Sequence, residues 1–134
     1  MAGYTLANLK TDVDDMAPSF GLSPDLEAHF ARQALDMEQS GLSYQRAAPG
    51  FRVPFGHTHA KQEETYVVLS GGGRAKVGDE VVEVKAFDAL RVSPGTWRGM
   101  EAGPDGIELI AFGARPGMAQ DENDTEMEQG WWED

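Results

Sequence analysis

Two histidines on alternate residues, His57 and His59, are followed by Glu63 and Glu64, an apolar run and three glycines in HTHAKQEETYVVLSGGG. On an extended strand, side chains two residues apart leave the same face about 7 Å apart. Two imidazoles at that spacing can meet on one ion at metal–nitrogen distances of about 2.0–2.1 Å. Glu64 opens the next apolar stretch, and an antiparallel neighbour would bring its carboxylate to the same point. Two histidines and one carboxylate, with other positions open, suit one divalent metal: iron(II), manganese, nickel or zinc. An imidazole can also act as a general base near neutrality, but no nucleophile or second acid completes such a site. A polar loop that holds two of the chain's three histidines is the plain alternative. His29 is far from the motif and reads as a surface or packing residue.

The elements that must position these groups are short strands. GLSYQRAAPG lies between turn residues, and from Pro54 onward ETYVVLS, RAKV, EVVEV, ALRV, TWRGMEA and IELIAFGA are separated by Gly, Pro and Asp. Gly78-Asp79 joins two of them as a hairpin dipeptide. Strands of four to seven residues at this spacing predict an antiparallel sandwich or barrel. Upstream, Ser23 and Pro24 read as an N-cap and first-turn proline before DLEAHFARQAL, while Phe30 and Arg32 alternating with alanines read equally as a strand. Residues 1–40 are thus an N-terminal arm packed on the barrel, irregular or with a short helical segment, and 41–113 are the barrel. Residues 114–134 are a solvated acidic tail (Arg115 against Asp121, Glu122, Asp124, Glu126, Glu128, Glu133 and Asp134) that is poorly ordered through much of its length. Trp131 and Trp132 within it supply apolar area for docking on the barrel or on a second subunit.

The chain's 134 residues suffice for one domain with a real core. There is no cysteine, which excludes disulfides, Cys-ligated zinc and thiol chemistry. A net charge of -12 argues against nucleic-acid or anionic-membrane partners. The first twenty residues lack the pattern of a signal peptide, and no apolar run approaches the ~20 residues that span a bilayer. A cytoplasmic protein is the expectation.

The order HxH, four residues, Glu64, six residues, Gly71 resembles the first motif of the cupin family, small antiparallel jelly-roll barrels. The motif's leading glycine is one place early, at Gly50, with Phe51 at its usual position. The second cupin motif runs glycine, five residues, proline-x-glycine, two residues, histidine. FDALRVSPGTWR, from Phe87 to Arg98, resembles it with Pro94 and Gly95 in place. Phe87 stands where the glycine belongs, Ser93 where the first proline belongs and Arg98 where the histidine belongs. The resemblance covers Tyr44 to Gly113. It implies an all-β jelly-roll barrel, a homodimer paired through sheet edges, and a metal held by His57, His59, Glu64 and the second-motif histidine.

Arg98 breaks that ligand set, because a guanidinium has no free lone pair and stays protonated. Three arrangements remain. Arg98 turns away or pairs with Glu63, and the other three hold a metal. Arg98 salt-bridges Glu64 with no metal present. Arg98 receives the anionic group of a ligand, bidentately for a carboxylate. Tyr66 and Met100, two residues along from Glu64 and Arg98, would face the same pocket. The functions that follow are a binding barrel for a small anionic molecule, a metal-dependent dioxygenase, isomerase or lyase acting on a small acidic metabolite, and a structural dimer.

Overall fold

The computed structural model describes residues 3–114 and 124–134; the charges expected at Arg115, Asp121 and Glu122 lie outside them. A short 3-10 turn, Ala17–Phe20, precedes eight strands: β1 Leu26–Phe30, β2 Ser40–Ala47, β3 Phe55–His59, β4 Glu63–Val77, β5 Glu80–Lys85, β6 Ala89–Val92, β7 Arg98–Ala114 and β8 Thr125–Gln129. All strand pairs are antiparallel, as a jelly-roll barrel requires. One path runs β1-β2-β7-β3-β8, while β4 pairs with β5, β6 and β7. The two long strands close the structure. Residues 107–114 of β7 lie between β2 and the first half of β4, and residues 98–102 pair with its second half.

Alternation builds the interior. Ile107, Leu109 and Ala111 of β7 are buried and alternate with the more exposed Glu108, Ile110 and Phe112, and Tyr66 and Val68 do the same on β4. These side chains share one core with Leu26, Ala47, Val84 and Val92. Period-two burial is the pattern of a strand with one face inward.

Three points that the sequence left open or misread are decided by the structure. The ambiguous stretch after Pro24 is extended over Leu26–Phe30, with Leu26 and Ala28 buried on one face and Leu26 opposite Ala47. The glycines at 71–73 and 103–106 do not end strands, because β4 and β7 run through them with register shifts. Gly71 shows why: a Cβ there would stand 2.0 Å from the Gly106 carbonyl oxygen, so glycine allows two backbones to meet.

The third correction concerns the tail. Within the described part of it, Thr125–Gln129 form β8, paired residue for residue with β3. Trp131 then packs on the barrel of its own chain, 6.1 Å from Trp97 between ring centroids and beneath Lys76. A Cβ at Gly56 would come within 2.5 Å of the Trp131 ring, so a bare backbone makes room for the indole. Trp132 is 6% exposed and lies under the guanidinium groups of Arg52 and Arg74, 4.2 and 5.4 Å from its ring centroid. Among the described residues no helix is long and apolar enough to cross a membrane.

Candidate metal and ligand site

His57 and His59 leave β3 on the cavity side, and the first turns of chain beyond the strand return as β4 with Glu64 and Tyr66 on its inner face. Arg98 opens β7 directly across from His57. All five side chains line a cavity of about 460 Å³, together with Met100. The two imidazoles stand edge to face, 5.1 Å apart. His57 Nε2 and His59 Nε2 lie 3.4 and 3.5 Å from the same Glu64 oxygen, Oε1. The ligand atoms of this group lie within 4.8 Å of one another, so His57, His59 and Glu64 can hold a metal ion.

The same oxygen also accepts a hydrogen bond from the Tyr66 hydroxyl and one from Arg98 Nη2, the latter at 3.2 Å. Arg98 is 2% exposed and bonded through each nitrogen: Nε also donates to Tyr66 Oη at 3.2 Å and Nη1 to the Thr96 carbonyl at 2.8 Å. Arg98 therefore makes the ion pair with Glu64 that the second arrangement contains. Glu63 instead pairs with Arg91 at the surface, at 3.0 Å.

The electrostatics follow from burial and partners. Burial alone pushes the Glu64 carboxyl up, but hydrogen bonds from His57, His59 and Tyr66 outweigh it and hold the group far below the usual carboxylate range. Glu64 is therefore ionised at any working pH. Burial pushes the His57 imidazole down, against the pull of Glu64, so it is neutral near pH 7. Tyr66 is driven well above its ordinary value by burial and by the Glu64 charge, which leaves it a hydrogen-bond donor.

His59 has an outer shell that its sequence neighbourhood does not announce. Its Nδ1 faces Thr125 Oγ1 at 3.0 Å, Gln62 Nε2 at 3.3 Å and an Asp124 oxygen at 3.5 Å. Asp124 also accepts the Lys61 and Gln62 backbone N–H groups, at 2.8 and 3.2 Å. These contacts fix the ring so that Nε2 points at Glu64, the role such partners play around metal-binding histidines. Asp124 and Thr125 are more than sixty positions from His59 and carry no motif, so only the folded chain brings them into view.

A family model, Cupin domain, matches residues 43–110. The chain belongs to the cupin family. A cupin protein from Bacteroides fragilis has the same fold, with 25% identity, a TM-score of 0.70 and coverage of 87% of this chain and 88% of that one. Oxalate decarboxylase from Bacillus subtilis is 21% identical at a TM-score of 0.71; the match covers 91% of this chain but 32% of the decarboxylase, so the cupin described here spans about a third of that enzyme. A Streptomyces PAC13 structure with uridine is 18% identical, with a TM-score of 0.64 and coverage of 78% and 79%. No curated protein matches the sequence.

Phe87 ties this cupin to its second motif. It occupies the glycine position and has the positive φ, 71°, that glycine tolerates and a bulky side chain resists. The backbone of the motif is kept although its residue is not. Arg98, eleven residues on, lines the cavity across from His57.

Proposed function

We propose that this cupin is a binding barrel for a small organic molecule, whose polar end meets the His57–His59–Glu64 group while Tyr66 and Arg98 hold the Glu64 carboxylate in place. The observation that carries the reading is the commitment of Arg98. It lines the cavity across from His57, and it pairs with the carboxylate that a metal would need. His57, His59 and Glu64 still fit one divalent ion (iron, manganese, nickel or zinc) by donor type and convergence. A metal bound there would act as a Lewis acid on a ligand oxygen, and Arg98 weakens its hold by competing for Glu64. A second reading, a metal-dependent dioxygenase, isomerase or lyase for a small acidic metabolite, draws on that same convergence and on enzymes such as oxalate decarboxylase sharing the fold.

Elemental analysis of protein purified without chelator or affinity-tag metal separates the two, alongside a His57→Ala, His59→Ala double variant and Arg98→His. We expect little metal in the unaltered protein and affinity raised on the order of 10–100-fold in Arg98→His. Near-stoichiometric metal that vanishes in the double variant would instead favour the enzyme. We also propose that the barrel pairs as a homodimer through its sheet edges, β5 being paired on one side only among the described strands. Light scattering behind size exclusion that returned a monomer at micromolar concentration would remove this idea.

A further inference from the structure

The cavity is divided by chemistry. The His57–Glu64–Arg98 cluster comes from β3, the start of β4 and the start of β7, while β1, β2 and the turn before them contribute the apolar Phe20, Leu26, Phe30 and Leu42 beside the polar Ser43 and Gln45. Phe20 and Phe30 line the cavity yet are 57% and 52% exposed, which places them at its mouth. Beside them is Arg32, half-buried and also lining the cavity. Every other described arginine has a carboxylate partner: Arg46 with Glu27, Arg52 and Arg74 with Glu101, Arg91 with Glu63 and Arg98 with Glu64. Arg32 has none among the described residues. In a chain with 23 acidic residues against 11 lysines and arginines, a cation at the edge of an apolar cavity with no carboxylate partner among the described residues calls for an account.

We propose that Arg32 receives the anionic group of the ligand, and that the ligand is an amphipathic monocarboxylate. Its carboxylate pairs with the guanidinium fork at the mouth, its apolar body lies on Phe20, Leu26, Phe30 and Leu42, and its far end points toward His57 and Glu64. Arg98, the residue that the sequence offers for this task, already commits an N–H of each of its three nitrogens to Tyr66, Thr96 and Glu64, which leaves it no open face for a two-pronged carboxylate comparable to that of Arg32. The planar fork of Arg32 matches a carboxylate with two parallel hydrogen bonds. A net charge of -12 repels multiply charged anions over the ~8 Å that salt leaves unscreened, which favours a single negative charge on a mostly apolar body. The cavity volume suits a medium-length chain or a small ring system. This inference rests on the barrel binding a small molecule and is independent of whether metal is held.

Titration calorimetry with hexanoate, octanoate and decanoate and the alcohols of the same length, on the full chain and on Arg32→Gln, provides the test. Affinity should rise about three- to fourfold per added methylene until the cavity is full. Each acid should bind the unaltered protein at least about fivefold more tightly than its alcohol, and Arg32→Gln should remove that preference while leaving the alcohols unchanged. Among the described residues Arg32 has no ion-pair partner to lose, and a melting curve of Arg32→Gln checks that the fold is kept. Equal binding of acid and alcohol, no dependence on length, or an equal loss for both in Arg32→Gln would each overturn the proposal. If none of the series binds while metal uptake through His57 and His59 persists, the Arg32 assignment falls and the metal-capable cluster stands. If neither is seen, both fall.

Discussion

Arg98 and Glu101 are three residues apart on β7 and face opposite sides of the sheet, and each belongs to an arginine–carboxylate cluster. Inside, Arg98 meets Glu64 with side chains 3% and 14% exposed. Outside, Glu101 lies between Arg52 and Arg74, at 2.7 Å from each, with Arg74 42% exposed. The chemistry is the same and the solvent is not. The inner pair has lost most of its hydration, which costs several kcal/mol per ion, and is compensated by hydrogen bonds from Tyr66 to Glu64 and from Arg98 to Tyr66, Thr96 and Glu64. The outer cluster keeps its water and serves to hold Trp132. A buried ion pair on the wall of the cavity thus bears on what the pocket can hold as well as on how the fold is kept.

The sharpest way to break this comparison is to remove the arginine from each cluster in the same manner. Arg98→Met leaves the Glu64 charge buried without its partner and should destabilise the protein by about 3–5 kcal/mol in denaturant unfolding. Adding Glu64→Gln should restore most of that, because the uncompensated charge is gone. If the double variant stayed as unstable as the single one, packing rather than charge would be the cause.

A third cluster, on β1, lies between these extremes. His29 is 4% exposed, with Nδ1 facing the Val13 carbonyl at 2.6 Å and Nε2 facing Glu27 at 2.7 Å, and Arg46 supports Glu27 from β2. Burial lowers the His29 pKa, but the bonds to Val13 and Glu27 outweigh it, so the folded value is raised. The stabilisation is therefore complete below the unfolded pKa near 6.5 and fades as pH climbs through the folded value. His29→Gln should cost about 1–2 kcal/mol at pH 6 and less at pH 9, read from melting curves across that range. A cost independent of pH would mean that the ring packs without a charge.

The smallest effect belongs to the outer cluster. Arg74→Met should cost about 0.5–1 kcal/mol, since one cation–π contact and one well-hydrated pair are lost while Arg52 remains. Hydrogen exchange at the β8 amides should rise with little change elsewhere. A loss as large as that of Arg98→Met would erase the distinction drawn between the two sides of β7.

Much of this was legible in the sequence, for identifiable reasons. Tyr66, Val68, Leu109 and Ala111 alternate with exposed neighbours, and that period predicts strands without any template. The spacing of His57, His59, Glu64 and Gly71 predicts the metal-capable group because one strand face and one hairpin are enough to assemble it. The partner of Arg98 depends on the register between β3, β4 and β7, which no local pattern encodes. β8 escaped for a different reason: all five of its side chains are exposed, so TEMEQ carries no alternation to read. Only Trp131 and Trp132 hinted that the segment has somewhere to sit.

The pairing of β3 has a consequence for synthesis. This strand, which carries both histidines, meets β7 only at His57 and Arg98, but meets β8 at five successive positions. Translation produces β3 long before β8, so while the nascent chain grows, one side of the histidine strand has no continuous neighbour. The rest of the barrel can assemble in that interval. The histidine face would be completed last, when residues 124–132 have emerged and can lie down along it.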